Sequence, residues 1–168
     1  MKILLSPAKS LNFKSALPTE IHSEPCFLQE ANLLNSILKS KNPAEISELM
    51  HISSSLGELN YERFQEWSTE PSKGDARQAI YAFSGDVYKG IDSYTIKKDK
   101  IDFLQNNVRI LSGQYGLLKP LDLIQPHRLE MGTKMSFKSY KNLYEFWKKQ
   151  VSLELKEQLS EGEPVLNL

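Results

Sequence analysis

The chain has 168 residues, of which 40% are hydrophobic and 25% charged, and its 21 basic and 21 acidic side chains leave no net charge. This composition is ordinary for a globular protein, and no window approaches the roughly 18 apolar residues of a membrane span, so we expect no membrane partner. The lone Cys26 excludes an intramolecular disulfide and a Cys-based metal site. The three histidines show no ligand spacing, so we expect neither metal nor cofactor. Residues 86–150 carry 12 basic and 7 acidic side chains, a mild excess that is compatible with an anionic ligand.

The first predicted elements are a strand and two helices. Lys2–Leu5 begins like a signal peptide, but its apolar run breaks at Ser6 and Pro7, which predicts a first strand and a cytoplasmic protein. Apolar residues recur at helical spacing over 27–38. A second helix is expected to start with Asn42 as N-cap, Pro43 at the first position and Glu45 at the third.

The remaining pattern alternates helices and strands. In chain order it predicts a break at 56–59, a helix over 61–67 capped by Asn60, a turn at 71–74, a helix or strand at 76–83 after Asp75, a helix at 98–107, a buried strand at 108–111, a long helix at 143–159 and a buried strand at 165–168. The alternation indicates an α/β fold in which helices flank a mixed sheet, with a helical part near the N-terminus. The length suits one domain over residues 1–168.

The loop after the strand at 108–111 is the densest candidate site. It combines Ser112, Tyr115 and Arg128 with two glycines and two prolines, and interleaved leucines indicate that it is pinned to the body of the protein. Arg128 suits an anion clamp, and a structural pair with Glu130 is the alternative. A Ser–His–acid triad is disfavoured because the chain has no G-x-S-x-G elbow.

Two further loops carry candidate anion-binding residues. Ser6 and Lys9 follow the first strand, and the carboxyl ends of strands are where ligands bind in α/β folds; a solvated loop is the alternative. In the turn between Gly85 and Gly90, Tyr88 suits base stacking and Lys89 suits a phosphate. A tight turn whose tyrosine packs on the core explains the same pattern equally well.

Residues 46–67 are similar to a helix-hairpin-helix, in which a hairpin directs backbone N–H groups at a nucleic-acid phosphate. The candidate residues are Gly57, Asn60 and Arg63. The usual motif has two glycines, whereas this hairpin has only Gly57, and Glu58 adds a negative charge. Two packed helices joined by a turn are therefore favoured by the residues alone.

Several long motifs together resemble one known family, the peroxide stress protein YaaA family. The matching segments are LLSPAKSL at 4–11, ARQAI at 76–80, F-x-GDVY-x-G at 83–90, LSG-x-YG at 111–116, PLDL at 120–123, RLEMG at 128–132, FW at 146–147 and VLNL at 165–168. The resemblance implies protection against peroxide, lower free iron under stress, and non-specific DNA binding through a hairpin and a basic cleft. It implies no established enzyme activity.

Two expectations remain to be compared with the structure. The loops at 6–10, 85–90 and 112–128 could instead converge on one pocket for a small phosphorylated or nucleotide-like ligand, lined by Lys9, Tyr88, Ser112 and Arg128. Family members also continue past the equivalent of Leu168 into a Lys- and Arg-rich portion. The resemblance thus implies a truncated chain, which we expect to expose apolar surface.

Overall fold

A computed structural model describes all residues from 1 to 168 and contains seven α-helices and eight short strands. The helices are Leu28–Lys39 (α1), Pro43–Met50 (α2), Ser54–Glu66 (α3), Ala79–Ala82 (α4), Asp86–Ile91 (α5), Ile101–Asn107 (α6) and Leu143–Glu157 (α7). The strands are Lys2–Leu5 (β1), Ser10–Leu11 (β2), Arg77–Gln78 (β3), Phe83–Ser84 (β4), Val108–Ser112 (β5), Gly116–Leu118 (β6), Leu123–Ile124 (β7) and Val165–Asn167 (β8). None of the helices has the length and apolar content needed to cross a membrane.

The main sheet has four strands in the order β6-β5-β1-β8. β1 runs parallel to both β5 and β8, whereas β6 returns antiparallel to β5. Two small antiparallel pairs, β2 with β4 and β3 with β7, lie outside this sheet. The predicted α/β class with a mixed sheet is confirmed. Because three strands are parallel, their carboxyl ends meet at one edge of the sheet.

Two apolar clusters hold the elements together. The larger contains 17 buried residues around the sheet, including Leu5, Ile80 and Ile110. The second contains 10 buried residues and joins α1, α2, α3 and α7 through side chains such as Leu34 and Trp147. Each fully buried aliphatic or aromatic side chain contributes about 1.5–3 kcal/mol of transfer free energy, so the helical cluster attaches α7 firmly to the N-terminal helices.

The start of α2 agrees with the sequence prediction. The Asn42 side chain accepts a hydrogen bond from the Glu45 backbone N–H at 3.0 Å, and the Glu45 carboxylate accepts one from the Asn42 N–H at 2.8 Å. Pro43 occupies the first helical position, where no backbone donor is needed. The capping box is therefore confirmed.

The predicted break at 56–59 is wrong. These residues lie inside α3, which Ser53 caps, and the turn between α2 and α3 is at 51–53. A glycine is needed at position 57 because α2 crosses α3 at this point. A Cβ on residue 57 would overlap Ser47 Oγ and lie 2.7 Å from the Pro43 carbonyl oxygen. Asn60, predicted as an N-cap, is buried within the helix and donates to the Leu56 carbonyl at 2.7 Å.

Three other predictions are refined by the structure. The ambiguous segment 76–83 forms β3, α4 and the start of β4, and the helix predicted at 98–107 begins as a 3₁₀ turn over 98–100. The strand at 165–167 is confirmed, but its predicted burial is wrong. β8 pairs only with β1 and forms an edge of the sheet, so Val165, Leu166 and Leu168 remain exposed.

Candidate functional site

A cavity of about 800 Å³ lies at the edge of the sheet where the parallel strands end. Four parts of the chain form its wall: the loop after β1, the end of β5, the loop at 127–132, and one side of α7, with Asn167 of β8 beside them. The lining residues are Ser6, Pro7, Ala8, Lys9, Phe83, Leu111, His127, Arg128, Leu129, Glu130, Met131, Gly132, Asn142, Tyr144, Glu145, Trp147, Lys148, Val151, Ser152 and Asn167. This position matches the general rule that ligands bind beyond the carboxyl ends of parallel strands.

Gly113 and Trp147 bring the loop at 127–132 and helix α7 to this edge. A Cβ on Gly113 would overlap the Leu129 carbonyl oxygen and lie 2.9 Å from backbone atoms of Glu130 and Met131. The buried Trp147 donates its indole N–H to the Gly113 carbonyl at 2.9 Å. Only a residue without a side chain lets the loop approach so closely, and the indole then ties α7 to the same point.

Charged side chains meet at one side of the cavity. The Glu130 carboxylate lies 3.0 Å from an Arg128 guanidinium nitrogen and 3.5 Å from the Lys9 ammonium. The Lys9 side chain is 66% exposed, whereas the Arg128 side chain is only 17% exposed and is enclosed by its surroundings. The Arg128 Nε is buried without a hydrogen-bond partner. A planar guanidinium with a free donor suits a phosphate or carboxylate ligand.

His127 supplies a neutral acceptor in the lining of the same cavity. Its Nδ1 lies 2.8 Å from the Gln125 carbonyl oxygen, a contact that requires the proton on Nδ1 and leaves Nε2 as an acceptor. Nε2 forms no hydrogen bond within the protein, and the residue lines the cavity. Burial lowers the pKa of His127 to about 4, and the nearby charge of Arg63 adds to this effect. The imidazole is therefore neutral at physiological pH.

The predicted residues of the 85–90 turn do not line the cavity. Tyr88 is buried and donates its hydroxyl to the Ser6 carbonyl at 2.9 Å, and burial raises its pKa. Tyr88 therefore supports the loop after β1 through this hydrogen bond. Lys89 lies on the exposed side of α5, where its ammonium is 3.5 Å from the Asp86 carboxylate.

Ser112 and Tyr115 are buried behind the cavity. The Ser112 hydroxyl accepts hydrogen bonds from the Gln114 and Tyr115 backbone N–H groups at 3.2 and 3.1 Å, which shapes the turn after β5. The Tyr115 hydroxyl accepts from the Trp67 indole at 2.7 Å and from the Gln125 N–H at 3.1 Å, and burial raises its pKa to about 12. Neither group is arranged as a nucleophile. Ser112 has no base as its hydrogen-bond partner, and the raised pKa of the buried Tyr115 keeps its hydroxyl protonated.

The three residues predicted for a DNA-binding hairpin lie on α3 and do not line this cavity. Gly57 and Asn60 are buried, and Gly57 lies at the contact with α2. Arg63 lines a separate cavity of about 500 Å³ together with Lys14 and Glu62. Its guanidinium lies 3.4 Å from the Asn60 side-chain oxygen, and burial lowers the pKa of Arg63.

The structure thus brings Ser6, Lys9 and Arg128 together and separates them from the other predicted residues. It also adds Tyr144 and Lys148, which sequence reasoning missed. Both are exposed residues of α7 that flank the buried Trp147, and they lie one helical turn apart. Their spacing indicates a shared exposed face, but nothing in the sequence indicates which part of the fold that face would meet.

Comparison with known proteins assigns the chain to a family. The family model described as peroxide stress protein YaaA matches residues 1–168. A UPF0246 protein of Flavobacterium johnsoniae is 54% identical over the whole chain, and one of Flavobacterium psychrophilum is 49% identical; the chain covers 67% of each relative. A UPF0246 protein of Hahella chejuensis is 46% identical over 96% of the chain and 63% of its own length. The chain therefore spans about two thirds of these relatives and belongs to the peroxide stress protein YaaA family.

Proposed function

We propose that this protein acts in the cytoplasm during peroxide stress by binding the DNA backbone at the cavity beyond β1 and β5. The observation that carries the proposal is that Lys9, Arg128 and Lys148 line one cavity, where they outnumber the two carboxylates of Glu130 and Glu145. The family assignment supports the link to peroxide. The unpartnered Arg128 Nε supports an anionic ligand, because a buried donor without an acceptor costs free energy until a ligand satisfies it.

DNA binding limits iron-driven damage by a simple electrostatic route. DNA phosphates hold a condensed layer of cations, and a protein that neutralises phosphates releases them. Ferrous iron within that layer reacts with peroxide next to the DNA. A bound protein displaces the iron from the phosphates that it covers, so the radicals form away from the bases.

A gel-shift series over increasing salt tests this proposal. Each phosphate neutralised contributes about −0.9 to the slope of log K against log salt. We expect Arg128→Ala to weaken binding to duplex DNA and to reduce the slope by roughly one phosphate contact. Lys89→Ala is the matched control, because this lysine is exposed and outside the cavity. Salt-insensitive binding, or no binding at low salt, would contradict the proposal.

A small phosphorylated or nucleotide-like ligand is the second candidate. The neutral acceptor on His127 favours it, since a ligand with its own hydrogen-bond donor fits an acceptor better than a bare phosphodiester does. The pocket expected for such a ligand loses Tyr88 and Ser112 but keeps Lys9 and Arg128. A thermal-shift screen of nucleotides, in which only a binder raises Tm, tests this candidate.

A further inference from the structure

The cavity is larger than phosphodiester binding requires. Backbone contacts are made by cations and N–H groups at a surface, and they need no cavity of this volume. A volume of about 800 Å³ instead falls within the range of pockets that hold a whole small molecule. The size points to a ligand that enters the cavity.

Cationic and aromatic side chains both line the cavity. Lys9, Arg128 and Lys148 supply positive charge beside the carboxylates of Glu130 and Glu145, and Phe83, Tyr144 and Trp147 supply aromatic surface. Tyr144 is 61% exposed although it lines the cavity, so its ring is available for stacking. Aromatic rings next to cations are the combination by which proteins hold unstacked nucleotides.

Two further groups fit a nucleotide. His127 offers an acceptor without a partner, which suits the amino group on the edge of a nucleobase. Glu130 pairs with both Lys9 and Arg128 in the structure, so a phosphate reaches the two cations together only if this carboxylate moves aside. A phosphate has more acceptor oxygens than a carboxylate and accepts from both cations with one group.

We propose that the cavity accepts one unstacked nucleotide of DNA, with its base against Tyr144 and its phosphate between Lys9 and Arg128. This inference rests on the DNA binding proposed above. It makes the preferred ligand a DNA with a nucleotide already outside the helix, because such a nucleotide enters the cavity without the free-energy cost of extruding a paired base.

Fluorescence anisotropy with two labelled DNAs of equal length tests the inference: one fully paired, the other carrying a single-nucleotide bulge. We expect the native protein to bind the bulged DNA about 5- to 150-fold more tightly, the range that one base–aromatic stack corresponds to. Tyr144→Ala should remove this preference, so that the variant binds the two DNAs with equal affinity. Tyr144→Phe should retain it, since the ring remains.

Phe103→Ala is the matched control, because Phe103 is an equally exposed aromatic residue on α6, outside the cavity. Equal affinity of the native protein for both DNAs overturns the inference but leaves DNA binding intact. A preference that survives Tyr144→Ala overturns it as well, because the nucleotide then binds elsewhere. No binding to either DNA overturns both proposals.

Discussion

Replacing Asp122 by Asn should make the stability of this protein depend on pH more strongly than in the native chain. Asp122 is buried, and burial raises its pKa to about 6 although its carboxylate accepts hydrogen bonds from Ser23 Oγ at 2.6 Å and from the Lys119 N–H at 2.7 Å. Burial acts oppositely on His127 and lowers its pKa from 6.5 to about 4. The two groups therefore titrate in overlapping ranges with opposite effects on folding.

Whether a fall in pH stabilises or destabilises the protein depends on which state, folded or unfolded, binds more protons. Between pH 6.5 and about 4 the unfolded chain protonates His127 and the folded one does not, so stability falls as the pH falls. Between about pH 6 and 3.8 the folded chain protonates Asp122 and the unfolded one does not, so stability rises as the pH falls. At about 1.4 kcal/mol per pKa unit each effect amounts to about 3 kcal/mol, and the two nearly cancel.

Urea unfolding followed by the fluorescence of buried Trp67 and Trp147, at pH values from 4 to 7, measures this. As the pH falls from 6.5 to 4, the free energy of unfolding of Asp122→Asn should fall by about 3 kcal/mol more than that of the native chain, because only the His127 effect remains. His127→Gln should shift in the opposite direction by a similar amount. The reasoning is refuted if both variants keep the pH dependence of the native protein, whatever their absolute stability.

Three further substitutions test single contacts of the fold. Gly57→Ala should lower the free energy of unfolding by about 1–3 kcal/mol despite the better helix propensity of alanine, because the new Cβ meets Ser47; thermal unfolding that is unchanged or raised would contradict this. Asn42→Ala should cost about 1 kcal/mol in urea unfolding through loss of the capping box, whereas replacement of the exposed Ser55 should cost little. Tyr88→Phe removes the hydrogen bond to the Ser6 carbonyl and should weaken DNA binding in gel shifts while Tm falls only slightly. Unaltered affinity would show that the loop after β1 needs no such support.

Local signals in the sequence were sufficient for elements whose stabilising contacts are close in the chain. The start of α2 was predictable because the Asn42 and Glu45 groups that cap it lie three residues apart. The strands at 2–5 and 108–112 were predictable from short apolar runs. The proximity of Lys9 to the Arg128 loop also followed in outline, since parallel strands end at the same edge of a sheet.

Contacts between distant segments decided the rest. The sequence by itself determined that Gly57 and Asn60 are poor residues for a helix interior, and this predicted a break. In the structure α3 continues through both residues, because α2 crosses α3 at Gly57 and leaves no room for a side chain at that position. Periodicity identified which side of α7 is buried, but the packing of α7 in the helical cluster, together with the hydrogen bond from Trp147 to Gly113, placed Tyr144 and Lys148 at the cavity. Tyr88, Ser112 and Tyr115 have the chemistry of binding residues, and packing made them supports instead. A residue type and its spacing determine what a side chain can do, whereas the element packed against it determines whether a ligand reaches it.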